Sequence, residues 1–191
     1  MARVHRRAAW LALALLGASL VLLGVGAAVG STGWSDLGAL GQDPSAWPIV
    51  RDIRLPRSLG AWLAGALLGL AGAVAQGLFR NPLADPFLLG SASGASLGVA
   101  LALALFGISP QAVSWLATLG LTGAAFVGAM GAVLLTLALA RGVQHTLRLL
   151  LAGVIVGVVL GALGSLITLM APETLPAMQA FLLGSTGFVG W

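Results

Sequence analysis

Residues 54 to 86 read Arg54-Leu-Pro-Arg-Ser58-Leu-Gly-Ala-Trp-Leu-Ala-Gly-Ala-Leu-Leu-Gly-Leu-Ala-Gly-Ala-Val-Ala-Gln76-Gly-Leu-Phe79-Arg80-Asn-Pro-Leu-Ala-Asp-Pro86. Two arginines open the stretch, about twenty apolar residues follow, and an arginine with a proline-rich turn closes it. That is the length a helix needs to cross a hydrocarbon core of ~30 Å, with charge marking both ends.

The rest of the chain has the same character. Of 191 residues, 59% are hydrophobic, only 7% are charged and 28 are glycine, which leaves too little polar surface to cover a soluble globule. Long continuous apolar runs, rather than alternating ten-residue strands, predict a helical bundle and not a barrel. There is no cysteine, which removes disulfides, thiolate metal sites and cysteine nucleophiles. There is also no lysine, so a phosphate-binding loop of the Gly-Lys-Ser/Thr kind is excluded and any ATP must be bound by a partner. The net charge of +4 comes from nine arginines with no basic, aromatic-studded stripe for a nucleic acid to follow.

Outward from residues 54–86, the apolar runs predict five spans, at about Ala8–Gly30, Ser58–Phe79, Phe87–Ile108, Val113–Ala140 and Leu149–Met170. The first run is too long for the core of a signal peptide, and Arg6 and Arg7 read as its cytoplasmic anchor. Residues 31–57 read as a polar connection carrying Trp34, Trp47, Asp36, Asp43 and Asp52. Asp85-Pro86 reads as a helix start, since Asp accepts from a free first-turn N–H and Pro has none to leave unpaired. Arg141 to Arg148, with His145, reads as a short basic loop. Residues 171–191 are expected on the extracellular side, too short and glycine-rich for a sixth span. With the N-terminus inside, Arg3, Arg6, Arg7, Arg80, Arg141 and Arg148 are cytoplasmic, while Arg51, Arg54 and Arg57 lie outside.

Small residues recur every fourth position: Ala61, Gly65, Gly69, Ala73 and Gly77; Gly90, Gly94, Gly98 and Ala102; Gly120, Ala124, Gly128 and Ala132; Gly153, Gly157, Gly161 and Ser165. Such stripes let backbones approach where lipid gives helices no hydrophobic reason to associate. Gln76 is the one amide in the second span, suited to a helix-to-helix hydrogen bond or to a polar path. No span carries an ionisable residue in its middle, which argues against a proton- or sodium-driven carrier.

At Arg54-Leu-Pro-Arg57, Gly72-Ala-Val-Ala-Gln76-Gly77, Arg80-Asn-Pro-Leu-Ala-Asp-Pro86, Leu89-Gly-Ser-Ala-Ser-Gly-Ala95, Leu149-Leu-Leu-Ala-Gly-Val154 and Phe181-Leu-Leu-Gly-Ser185, the chain resembles permease subunits of ABC importers for iron–siderophore complexes, haem and cobalamin. The resemblance implies an all-α polytopic membrane protein of the bacterial cytoplasmic membrane, about five transmembrane helices corresponding to the first half of a ten-helix permease, in a single domain. It implies no enzymatic activity, no cofactor and no resident metal. Its partners would be a pair of ATP-binding subunits, an extracellular-side substrate-binding protein and a second permease subunit, in a homo- or heterodimer. By the same resemblance Arg54 and Arg57 would pair with glutamates of the binding protein, their planar forks suiting carboxylates. Gly153, Gly157, Gly161 and Ser165, with Gln76, are the translocation-path candidates. Arg80, Asn81, Pro82, Asp85 and Pro86 form the cytoplasmic turn, a structural cap or an ATPase contact.

Three rival readings compete for the same residues. Gly90-Ser-Ala-Ser-Gly94 is not a Gly-x-Ser-x-Gly nucleophile elbow, and both histidines fall outside the spans, which disfavours an intramembrane protease. A secondary carrier lacks its membrane carboxylate. A shortened, non-functional permease shares the family and differs only in activity.

Overall fold

The computed structural model describes residues 2–30, 33–34, 46–106, 115–141, 146–187 and 189–191. Asp36, Asp43, His145, the turn at residues 107–110 and the first residues expected of the fourth span lie outside them. The described residues form, in order, α1 (Ala2–Ala28), α2 (Ala46–Ile49), α3 (Leu55–Phe79), α4 (Ser91–Phe106), α5 (Trp115–Leu139), α6 (Thr146–Met170) and α7 (Leu175–Leu183). After α1, Val29 pairs with Trp34 and Gly30 with Gly33 in a minimal antiparallel bridge.

Among the described residues, four helical stretches are long and apolar enough to cross a membrane: His5–Ala28, Trp47–Phe79, Leu119–Leu139 and Thr146–Met170. The expected third span is the exception. Its helix, α4, has only 16 residues, or ~24 Å of rise. Asp85 does cap, its carboxylate accepting from Phe87 N at 2.7 Å, but it opens a 3₁₀ turn, Pro86–Leu89. Gly90, at φ 80, then breaks the rise before α4 starts at Ser91. The second span is extended in the other direction. Helix continues above Ser58 through a π turn (Val50–Arg54) to Ala46, so Arg54-Leu-Pro-Arg57 is helical rather than part of a polar loop. α1 begins at Ala2 and α6 at Thr146, each earlier than the apolar run, because arginine stems are compatible with helix beyond the apolar segment.

The chain forms two compact units, Met1–Leu67 with Thr186–Trp191, and Leu68–Ser185. In the second, α4 is the hub, packed on α5, α6 and α7. Its core joins Val99, Ala100 and Leu103 to Ala177 and Met178. A second cluster ties Ala75 and Phe79 of α3 to Ala84, with Leu88, Leu149 and Leu150 against it.

The small-residue stripes resolve into two kinds. A Cβ on Gly128 would fall on the carbonyl of Gly94, one on Gly98 on the carbonyl of Ala124, and one on Gly153 on the carbonyl of Leu88. These glycines hold α4 to α5, and α6 to the turn before α4, at backbone contact. By contrast, Gly65, Gly69 and Gly77 of α3 and Gly120 of α5 would meet nothing within 4 Å, so the α3 stripe packs against nothing in the described residues. Buried Thr136 of α5 donates to the carbonyl of Leu89 at 3.0 Å, pairing a group that the end of the 3₁₀ turn leaves open.

Gly128→Val is expected to destabilise the bundle by about 1–3 kcal/mol through overpacking, whereas Gly69→Ala should raise stability by up to about 1 kcal/mol through helix propensity alone. Unfolding midpoints in detergent check both; equal effects would remove the distinction between the two stripes. Thr136→Val, which leaves the Leu89 carbonyl unpaired, should lower the same midpoint by about 1 kcal/mol.

Candidate functional site

The two ends of α3 carry the unusual chemistry. At its start, Leu55 N donates to the carbonyl of Val50, five residues back, instead of four. This widening has a local cause, because Pro56 follows without an N–H and its ring crowds the preceding turn. The turn projects two arginines to different surroundings. Arg54 is half-buried and its Nη1 donates to the carbonyls of Ala27 (3.3 Å) and Ala28 (3.1 Å), the last two of α1. A cation on carbonyls that the helix itself leaves unpaired is a favourable C-terminal cap. Arg57 is exposed, and its Nη2 donates to the carbonyl of Gly187 at 3.0 Å. Arg51 and Asp52 form an exposed ion pair at 3.8 Å, a contact of little energetic weight. Trp191 Nε1 donates to the carbonyl of Arg51 at 2.7 Å.

At the other end, Arg80 stands in the left-handed region with φ 47. Its N–H bonds the carbonyl of Gly77, and Asn81 N bonds that of Gln76, the paired closure that a left-handed residue makes at a helix C-terminus. Asn81 Oδ1 then accepts from Leu83 N at 2.9 Å, and Asp85 repeats the device two residues before Phe87. Pro82, Asp85 and Pro86 therefore build a turn with its own internal bonding. At its tip Leu83 is 88% exposed while Ala84 is buried beneath.

α3 has 25 residues, a rise of ~37 Å at ~1.5 Å per residue, with Arg57 in its first turn and Arg80 next after its last residue. That exceeds a hydrocarbon core of ~30 Å, and the helix can place each arginine at an opposite interface.

The path candidates separate on inspection. Gln76 is exposed on α3, and Gly153 is buried against Leu88. Gly161 and Ser165 share a groove of ≈ 650 Å³ between α4, α6 and α7, where Ser93, Ser96, Thr168 and Gln179 join them. Gly157 lies just beside it, since a Cβ there would stand 3.7 Å from Ser93 Oγ. The hydroxyl pairs Ser93/Ser96 and Ser165/Thr168 each recur at a spacing of three on one helix face, a signal that sequence reading passed over in favour of glycines. Hydroxyls and an amide offer weak, reversible hydrogen bonds without charge. Among the described residues no group of three or more His, Cys, Asp or Glu side chains is placed to hold a metal ion.

The profile of the FecCD transport family matches residues 11–191. The chain belongs to the FecCD transport family. Within it, this FecCD chain is 46% identical over 140 residues to the ferric enterobactin transport system permease protein of Escherichia coli (strain K12), covering 72% of this chain and 40% of that one. It is 43% identical over 143 residues to the vitamin B12 import system permease protein of Salmonella paratyphi A, covering 74% and 42%. It is 35% identical over 190 residues to the hemin transport system permease protein of Yersinia pestis, covering 93% and 54%. The inward-facing structure of a metal-chelate type ABC transporter superposes with a TM-score of 0.73 at 30% identity, over 93% of this chain and 55% of that one. This FecCD chain thus spans about half the length of the curated relatives it matches. It is a helical, multi-pass membrane protein of a transport family.

Arg80→Gly removes a left-handed arginine and should stabilise this FecCD chain by about 1 kcal/mol. A thermal-shift measurement showing a lower midpoint would mean that the Arg80 side chain contributes more than its backbone strain removes.

Proposed function

We propose that this chain is the membrane-spanning permease component of an ABC importer that moves iron–siderophore, haem or cobalamin-type chelates across the bacterial cytoplasmic membrane. The observation that carries this reading is the superposition on a metal-chelate transporter over 93% of the chain, joined to identity above 40% with siderophore and vitamin B12 permeases. The cargo's metal is already wrapped by its ligand, so the permease needs no metal-ligating side chains of its own.

The chain carries no lysine and no phosphate-binding loop, so a pair of partner subunits binds ATP and supplies the work. The turn at Arg80–Pro86 faces that side, with Leu83 as its exposed apolar tip. On the opposite side, the Arg57 end of α3 receives a substrate-binding protein, and a second permease subunit completes the pathway. The hydroxyl-lined groove of Ser93, Ser96, Ser165 and Thr168 provides uncharged hydrogen-bonding wall for a polar chelate to pass without being held.

Arg54 and Arg57 divide the docking end between them. Arg57, exposed, is the one presented to a partner carboxylate, while Arg54 fixes the end of α1 beside it. In a reconstituted transporter, Arg57→Glu should weaken capture of the substrate-binding protein at least about tenfold, ~1.4 kcal/mol, with only a small fall in the thermal midpoint from the lost, exposed Gly187 hydrogen bond. Arg54→Glu should lower both, because it also uncaps α1. Undiminished capture by the Arg57 variant would sink the docking role.

A further inference from the structure

Thr186–Trp191 lies along the start of α3 and is attached at every second residue. The carbonyl of Gly187 accepts from Arg57 Nη2 at 3.0 Å. The Val189 side chain occupies the space left by Gly60, its Cγ1 standing 3.0 Å from where a Cβ would be. Trp191 Nε1 donates to the carbonyl of Arg51 at 2.7 Å. The segment is a strap laid over residues 51–60, and one of its three fastenings is the arginine assigned above to a partner.

We propose that Arg57 exchanges the Gly187 carbonyl for a carboxylate of the docking partner, and that this exchange releases the strap. The inference rests on the docking role of Arg57 and adds to it a moving element. Both two-pronged approaches of a carboxylate to a guanidinium use Nη2, so the Gly187 carbonyl occupies one prong of one of them. A carbonyl offers one neutral acceptor; a carboxylate offers an ionised, forked one that can meet the guanidinium with two parallel bonds. The exposed position of Arg57 lets the stronger partner reach it. Arg54 takes no part, because its guanidinium is engaged on the end of α1.

The chain has no cysteine, so Val189→Cys gives one reporter thiol on the strap. The reporter chain in lipid nanodiscs is labelled with a maleimide while fluorescent hexaglutamate, a soluble polycarboxylate, is titrated and its binding read in the same samples; hexaserine is the control. The expected result is a labelling rate that rises about threefold or more with bound hexaglutamate, stays constant with hexaserine, and in Arg57→Gln starts high and no longer responds. Hexaglutamate that binds without changing the rate overturns the strap and leaves docking standing. Hexaglutamate that fails to bind removes the carboxylate-docking role of Arg57, and the exchange with it.

A second variant guards against mispacking at position 189. The ideal Cβ of residue 60 lies 3.6 Å from the Val189 Cβ, within the separation a disulfide spans, so Gly60→Cys with Val189→Cys can lock the strap closed. Oxidation should weaken hexaglutamate binding about threefold and reductant should restore it; an affinity indifferent to the lock overturns the exchange.

Discussion

A chain with this composition has lipid on most of its surface, and lipid offers its backbone no hydrogen bonds. Every N–H and C=O that leaves the helical ladder must be satisfied within the protein. The irregular positions of the structure are answers to that constraint. Where Pro56 cannot donate, the turn before it widens so that Leu55 reaches Val50. Where α1 ends, Arg54 covers two of its last carbonyls. Where α3 ends, Arg80 turns left-handed and returns two N–H groups to Gly77 and Gln76. Where the 3₁₀ turn ends, Thr136 reaches from α5 to the carbonyl of Leu89.

The same constraint explains why glycine is used in two ways. Gly94, Gly98 and Gly128 sit where two backbones touch, and Gly153 where α6 meets the carbonyl of Leu88; any side chain there would separate the elements that supply each other's partners. Contact so close gives the α4-centred unit its order with few large buried side chains, Val99 and Thr136 being the largest that are fully buried. Gly65 and Gly69, at the same spacing, face open space. Spacing therefore permits close approach but does not say where it occurs.

That difference sets what could be read from the sequence. The apolar run of α3 and the Asp85-Pro86 cap were legible because charge and proline mark them locally. Helix above Ser58 was not, because a proline between two arginines reads as a loop until the π turn that accommodates it is seen. The short α4 was hidden for a related reason: Gly90 interrupts the rise through its φ, and hydropathy carries no trace of a dihedral angle. The groove was half legible. Gly161 and Ser165 stand out in the sequence through their stripe, yet Ser93, Ser96, Thr168 and Gln179 join them only once three helices are placed, while Gly153 is taken up by backbone contact with Leu88.

α3 shows why such a protein divides its labour between its two ends. Its middle holds one amide and no charge, and burying a charge there without a partner would cost several kcal/mol. Charge is therefore confined to the ends, where arginine stems reach polar surroundings. A helix built this way has no group at its centre that a proton or sodium gradient can act on. What it offers is arginine at each end, the places where polar groups outside the hydrocarbon can reach it.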